Sequence, residues 1–132
     1  MNQSILESTL ATTETLMRFK AGETLFREGE DPQGVLVLHS GWVNLVFATR
    51  NGNAKPLRIA QPGQILGLSC IVTKRPHDCT ATARTACEAG FIHKDDFLHM
   101  LDDAPAVWFS VLRLLSSEVT AAYDDIRTLS AR

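Results

Sequence analysis

Between Gly67 and Ala83 the chain reads GLSCIVTKRPHDCTATA, which gathers Cys70, Lys74, Arg75, His77, Asp78 and Cys79 into one short stretch. Lysine and arginine in a tight turn can hold an anion through charge-assisted hydrogen bonds, and a histidine can join them once protonated, below about pH 6.5. The plainer reading of Lys74, Arg75 and His77 is a solvated turn. Other chemistry is thinly signalled. Cys70, Cys79 and Cys87 are an odd set with no C-x-x-C spacing, so neither a disulfide framework nor a zinc site is expected, and reduced thiols packing as small apolar groups fit better. His39, His77, His93 and His99 contain no H-x-H pair of the kind a metal-binding roll would use. No nucleophile elbow, phosphate loop or paired carboxylates on a cleft are present, so no catalytic residue and no metal site are expected, and the chain is not read as an enzyme.

The elements that would position these residues fit one domain, because the chain has 132 residues, of which 45% are apolar and 21% charged. Its formal charge is −2 and Lys74-Arg75 is the one adjacent basic pair, so no basic stripe marks a duplex-binding face. The N-terminus, MNQSILESTL, lacks a basic segment followed by an apolar core, and no apolar run approaches a membrane span. A cytoplasmic location without membrane contact is expected.

Residues 1–18, with Ile5, Leu6, Leu10, Leu16 and Met17 among Ser, Thr and Glu, suggest an N-terminal helical segment. From residue 19 to 94, glycines at 22, 29, 34, 41, 52, 63 and 67 punctuate short apolar runs, a texture that predicts a mainly β, jelly-roll-like double-stranded roll. Asn51-Gly52 is a strong hairpin signal, and CTATARTACEAGFI reads as one or two further strands. Residues 95–103 begin with two aspartates and predict a short helix.

Pro105 suits the first turn of another helix, which no glycine or proline interrupts, so that helix is expected over 105–130, roughly 39 Å at 1.5 Å per residue. Trp108, Leu112, Leu115, Val119, Ala122, Ile126 and Leu129 alternate steps of four and three along it. Leu, Val and Ile fall at a and Leu, Ala and Leu at d, a seam that favours a parallel two-stranded coiled coil and hence a homodimer. Phe109, Val111 and Leu114 add a second apolar face in the first half only.

The order of these features resembles the cyclic-nucleotide-binding-like sensor domains of the catabolite activator and Fnr (Crp/Fnr) family of transcription regulators. FKAGETLFREGE is similar to that family's P-G-x-x-L-F-x-x-G-E, and VLVLHSGWVNLV to its strand, glycine turn and strand. IAQPGQILGLSCIV resembles L-x-x-G-x-x-F-G-E-x-A-L, and PHDCTATARTAC resembles P-R-S-A-x-V-x-A. The resemblance covers roughly residues 19 to 130. It implies an effector-sensing, dimerising domain whose family usually contacts DNA through a helix-turn-helix; none is expected within these 132 residues, and a stand-alone small-molecule or cyclic-nucleotide-binding module regulating a partner protein is the alternative.

The resemblance also implies where a ligand would sit. Nucleotide-binding members carry a cassette in which a glutamate accepts from the ribose hydroxyl while an arginine and a serine hold the phosphate. The matching segments here are Gly67, Leu68, Ser69 and Cys70, then His77, Asp78 and Cys79, with Leu68 at the glutamate position, His77 at the arginine and Asp78 at the serine. The residues that face the purine from the long helix correspond to Ala122 and Tyr123. With both principal ligands replaced, cAMP and cGMP are not expected to bind tightly, no cofactor is required, and a smaller apolar effector, or none, fits better. Leu68→Glu with His77→Arg is expected to raise cAMP affinity.

Overall fold

The computed structural model describes residues 14–48 and 54–103, together with position 113. The chain divides into two compact units, Thr13–Leu98 and a second made of Met1–Thr12 with His99–Arg132. The strands all belong to the first. The expected coiled-coil helix over 105–130, with Trp108, Leu112, Leu115, Val119, Ala122, Tyr123, Ile126 and Leu129, lies outside the described residues apart from position 113.

Among the described residues, eight strands form two antiparallel sheets. They are β1 (Thr15–Phe19), β2 (Thr24–Phe26), β3 (Gly34–Ser40), β4 (Val43–Ala48), β5 (Ala54–Ala60), β6 (Ile65–Leu66), β7 (Thr80–Ala83) and β8 (Cys87–His93). One sheet has the order β1-β8-β3-β6 and the other β2-β7-β4-β5. Helix α1 (Leu68–Thr73) follows β6, and α2 (Lys94–Asp103) follows β8. The fold is thus mainly β, with these two helices among the described residues, in keeping with a jelly-roll.

The core follows from a two-residue period. Leu36 and Leu38 on β3, Ala81 and Ala83 on β7, and Cys87 and Ala89 on β8 are buried in one cluster with Phe19, Val43, Ala60 and Leu66. Each leucine or valine so buried contributes about 1.5–3 kcal/mol. The run Val35–Leu38 is buried on both faces of its strand, which explains why GVLVL reads as continuously apolar rather than alternating. Strand β5 is an edge, the position where a sheet tolerates Pro56, and a register shift between Leu45 and Val46 on β4 lies opposite it. The two strands that flank the Asn51-Gly52 signal do pair, Val43 with Ala60 through Ala48 with Ala54; residues 49–53 themselves are outside the described set.

Three four-residue turns share one construction. In Lys20–Glu23, Arg27–Glu30 and Gln61–Gln64 the third residue is a glycine at positive φ, and the fourth donates its N–H to the carbonyl of the first. The fourth side chain then returns an oxygen to the first residue's N–H, at 2.8 Å in all three. The x-x-G-E/Q sequence is therefore a self-capped turn, with glycine required by a left-handed φ of +92°, +87° or +97°.

Two expectations need correction. Residues 15–18 are not helical: they belong to β1, whose register on β8 runs from Thr15 opposite Phe91 to Phe19 opposite Cys87. A five-residue segment such as TLMRF carries little propensity of its own, and pairing with a central strand decides its state. Within the expected roll, the segment before the basic turn is not a strand either. Leu68–Thr73 is helical despite its β-branched Ile71, Val72 and Thr73, because Ile71 N–H donates to Gly67 O and Leu68, Cys70 and Ile71 are buried. It ends in a Schellman-type cap, Arg75 N–H to Cys70 O and Lys74 N–H to Ile71 O, with Lys74 at φ 56° where glycine is usual.

Candidate functional site

A cavity of about 590 Å³ opens among residues of both sheets and the turn that follows β2. Met17 and Phe19 come from β1, Leu25 and Phe26 from β2, Gly34 and Leu36 from β3, and Phe91 from β8; Glu30, Asp31, Gln33 and His77 complete the lining. Met17, Phe19 and Phe91 reach it because alternate residues of a strand share a face. Gly34 gives β3 room against β8, since a Cβ there would collide with Ile92 O and stand 2.8 Å from the Phe91 ring.

His77 is the pivot. Its backbone is tied to the Arg27–Glu30 turn on both sides, through His77 N–H to Glu30 O at 3.0 Å and Gly29 N–H to His77 O at 2.8 Å. Its ring lies flat on Phe26, with centroids 3.9 Å apart and planes 13° from parallel. It also lies against Gly67, where an added Cβ would meet His77 Cε1 at 3.3 Å. Only 6% of the residue is exposed, so the reading of His77 as part of a solvated turn is corrected: Lys74 and Arg75 are exposed, and His77 is core. Burial lowers its pKa below the ordinary imidazole value, against the opposing pull of the Asp78 and Glu30 carboxylates.

A stability prediction follows. The unfolded imidazole takes a proton near pH 6.5 and the folded one only at lower pH, so between those values the unfolded state binds more protons. The stability due to a neutral His77 is complete above about pH 6.5 and is lost as pH falls toward the folded value. Urea midpoints should therefore decrease from pH 7.5 to pH 5, and His77→Phe should flatten that decrease; an unchanged slope in the variant would remove His77 as its cause.

Of the cassette expected from sequence, His77 alone lines the cavity. Leu68 is 1% exposed and buried in α1; Gly67 and Ser69 are half-buried, and Asp78 is exposed. Cys70 borders a second cavity of about 360 Å³, outside α1, together with Asp31, Pro32, Ile71, Lys74, Arg75, Lys94, Asp95 and Leu98. Lys74 and Arg75 thus do not reach into the roll, and Arg75 Nε instead donates to Thr73 Oγ1 at 3.0 Å. Among the described residues no lysine or arginine lines the inner cavity.

The thiols are structural. Cys70, Cys79 and Cys87 are free and buried. Burial, with Asp78 beside it, pushes the Cys79 thiol up to about 12, which suppresses the reactive thiolate. Cys87 Sγ donates to Trp42 O and Thr85 O. No group of three or more His, Cys, Asp or Glu among the described residues could hold a metal ion. No helix among them is long and apolar enough to cross a membrane.

Sequence reasoning missed Phe26, Glu30 and the aromatic lining. A signal existed in the repeated x-x-G-E/Q turn, which fixes Glu30 at the cavity mouth, but the partnership of Phe26 with His77 joins residues far apart in the chain.

Residues 16–104, well over half of the chain, match the family described as the Cyclic nucleotide-binding domain. The chain belongs to that family. Among curated relatives, a CRP-like cAMP-activated global transcriptional regulator of Mycobacterium tuberculosis is 25% identical over 111 residues, covering 84% of this chain and 50% of the regulator. The lysophospholipase NTE1 of Kluyveromyces lactis is also 25% identical over 111 residues, covering 80% of this chain but 8% of that protein. The chain thus spans half or less of the curated relatives it matches. The Catabolite Activator Protein of Thermus thermophilus superposes with a TM-score of 0.82 at 20% identity, over 96% of this chain and 59% of that one. The domain's structural neighbours are regulators of the Crp/Fnr type, and the likeness shows a shared fold.

Proposed function

We propose that this domain is the effector-sensing and dimerisation part of a Crp/Fnr-type bacterial transcription regulator whose cavity has lost its cyclic-nucleotide chemistry. The observation that carries this reading is the exchange at the cassette. Where the family's arginine would fork onto a phosphate, a neutral His77 stacks on Phe26, and the inner cavity has no cationic side chain among the described residues. The ribose acceptor is replaced by Leu68, buried outside the cavity lining. What remains is a mostly apolar space suited to a small effector. In this reading DNA is contacted through a helix-turn-helix outside residues 1–132, and the heptad seam from Leu112 to Leu129 joins two copies.

Charge-assisted hydrogen bonds contribute roughly 1.5–3 kcal/mol each, so the loss of two leaves cAMP at least about a hundredfold weaker than in a nucleotide-binding relative. Isothermal titration calorimetry with the full chain should show no cAMP binding below about 100 μM. Submicromolar binding would overturn the reading.

A further inference from the structure

The inner cavity is charged in the opposite sense to a phosphate site. Among the described residues its ionised lining groups are the carboxylates of Glu30 and Asp31, both exposed at the mouth, while Lys74, Arg75 and Lys94 border the separate outer cavity. Deeper in, Phe19, Phe26, Phe91 and Leu36 supply an apolar and largely aromatic wall. His77 adds a polar ring to that wall. It is 6% exposed, lines the cavity, and keeps its ring stacked on Phe26.

We propose that this cavity binds a small amine with an aromatic body, the ring among Phe19, Leu36 and Phe91 and the ammonium toward Glu30. This rests on the reading of the cavity as an effector site that no longer takes a nucleotide. Three features of the lining fit such a ligand and reject an anion. The carboxylates attract a cation at the mouth, aromatic faces add cation–π attraction, and His77 offers a neutral acceptor to an N–H group. The volume lies within the usual range for small-molecule sites, about 300–1,000 Å³. Glu30 is the carboxylate to test, because Asp31 also borders the outer cavity where three cations face it. Glu30→Gln should preserve the turn, since Gln64 makes the same oxygen-to-N–H bond at 2.8 Å in its own x-x-G-Q turn.

The probes are tryptamine, tryptophol and indole-3-acetate, which share one ring and differ in charge, titrated into the full chain by calorimetry at pH 7.5. Tryptamine should bind about fivefold more tightly than tryptophol, with indole-3-acetate weakest, as expected for one solvent-exposed carboxylate partner. Glu30→Gln should remove that fivefold preference and leave tryptophol unchanged. Tryptophol equal to tryptamine, indole-3-acetate tightest, or no binding by any of the three at millimolar concentration overturns the amine inference. Submicromolar cAMP binding in the same series would instead overturn the effector reading beneath it.

Discussion

Leu68→Glu is expected to cost the domain about 3–5 kcal/mol and to give no gain in cAMP affinity, with or without His77→Arg. Sequence alignment with the family's cassette suggests the opposite, that a glutamate there restores the ribose acceptor. The structure changes the expectation because Leu68 is 1% exposed, sits in α1 and does not line the inner cavity. A carboxylate placed there loses its hydration without gaining a cationic partner, and replacing the leucine forfeits its own burial. Since small domains are stable by only about 5–15 kcal/mol, much of the population would unfold. The variant also has a characteristic pH signature. A buried carboxyl takes a raised pKa, so the damage grows as pH rises above about 4.3, opposite in sign to the His77 effect. Urea denaturation of Leu68→Glu and Leu68→Met at pH 5 and 7.5 tests this: Met should lose less than about 1.5 kcal/mol at both. A Glu variant as stable as the wild type at pH 7.5 would sink the argument.

The second large effect concerns assembly. Leu115→Asp or Ile126→Asp is expected to convert a homodimer into a monomer. In a symmetric parallel pair each substitution removes two side chains from the seam, about 3–6 kcal/mol in all, or two to four powers of ten in Kd before the aspartates repel each other. A long helix packed wholly on its own domain would instead lose stability without change of mass. Sedimentation equilibrium at micromolar concentration separates the two: a monomeric wild type, or dimeric variants, would reject the coiled-coil seam.

The amino-acid sequence determined the class of fold because its signals are local. Glycines that must take positive φ, such as Gly22, Gly29 and Gly63, mark turns wherever they occur, and the strands between them alternate on a two-residue period that burial then obeys. Short motifs such as FKAGETLFREGE survive in order, so the family too was legible. Tertiary structure decided what local signals could not. TLMRF became a strand because β8 offers it a register from Phe91 to Cys87, and LSCIVT became a helix because three of its side chains are buried and its C-terminal end is capped. The site depended most on such distant choices. A loop rich in Lys74, Arg75 and His77 looks uniformly solvated in sequence, yet the fold turns His77 onto Phe26, fifty-one residues earlier, and sends the two cations to the outer cavity. The physical reason is that burial and partnership belong to the packed chain: charge is written in the sequence, but the environment that decides whether it meets a ligand or water is not.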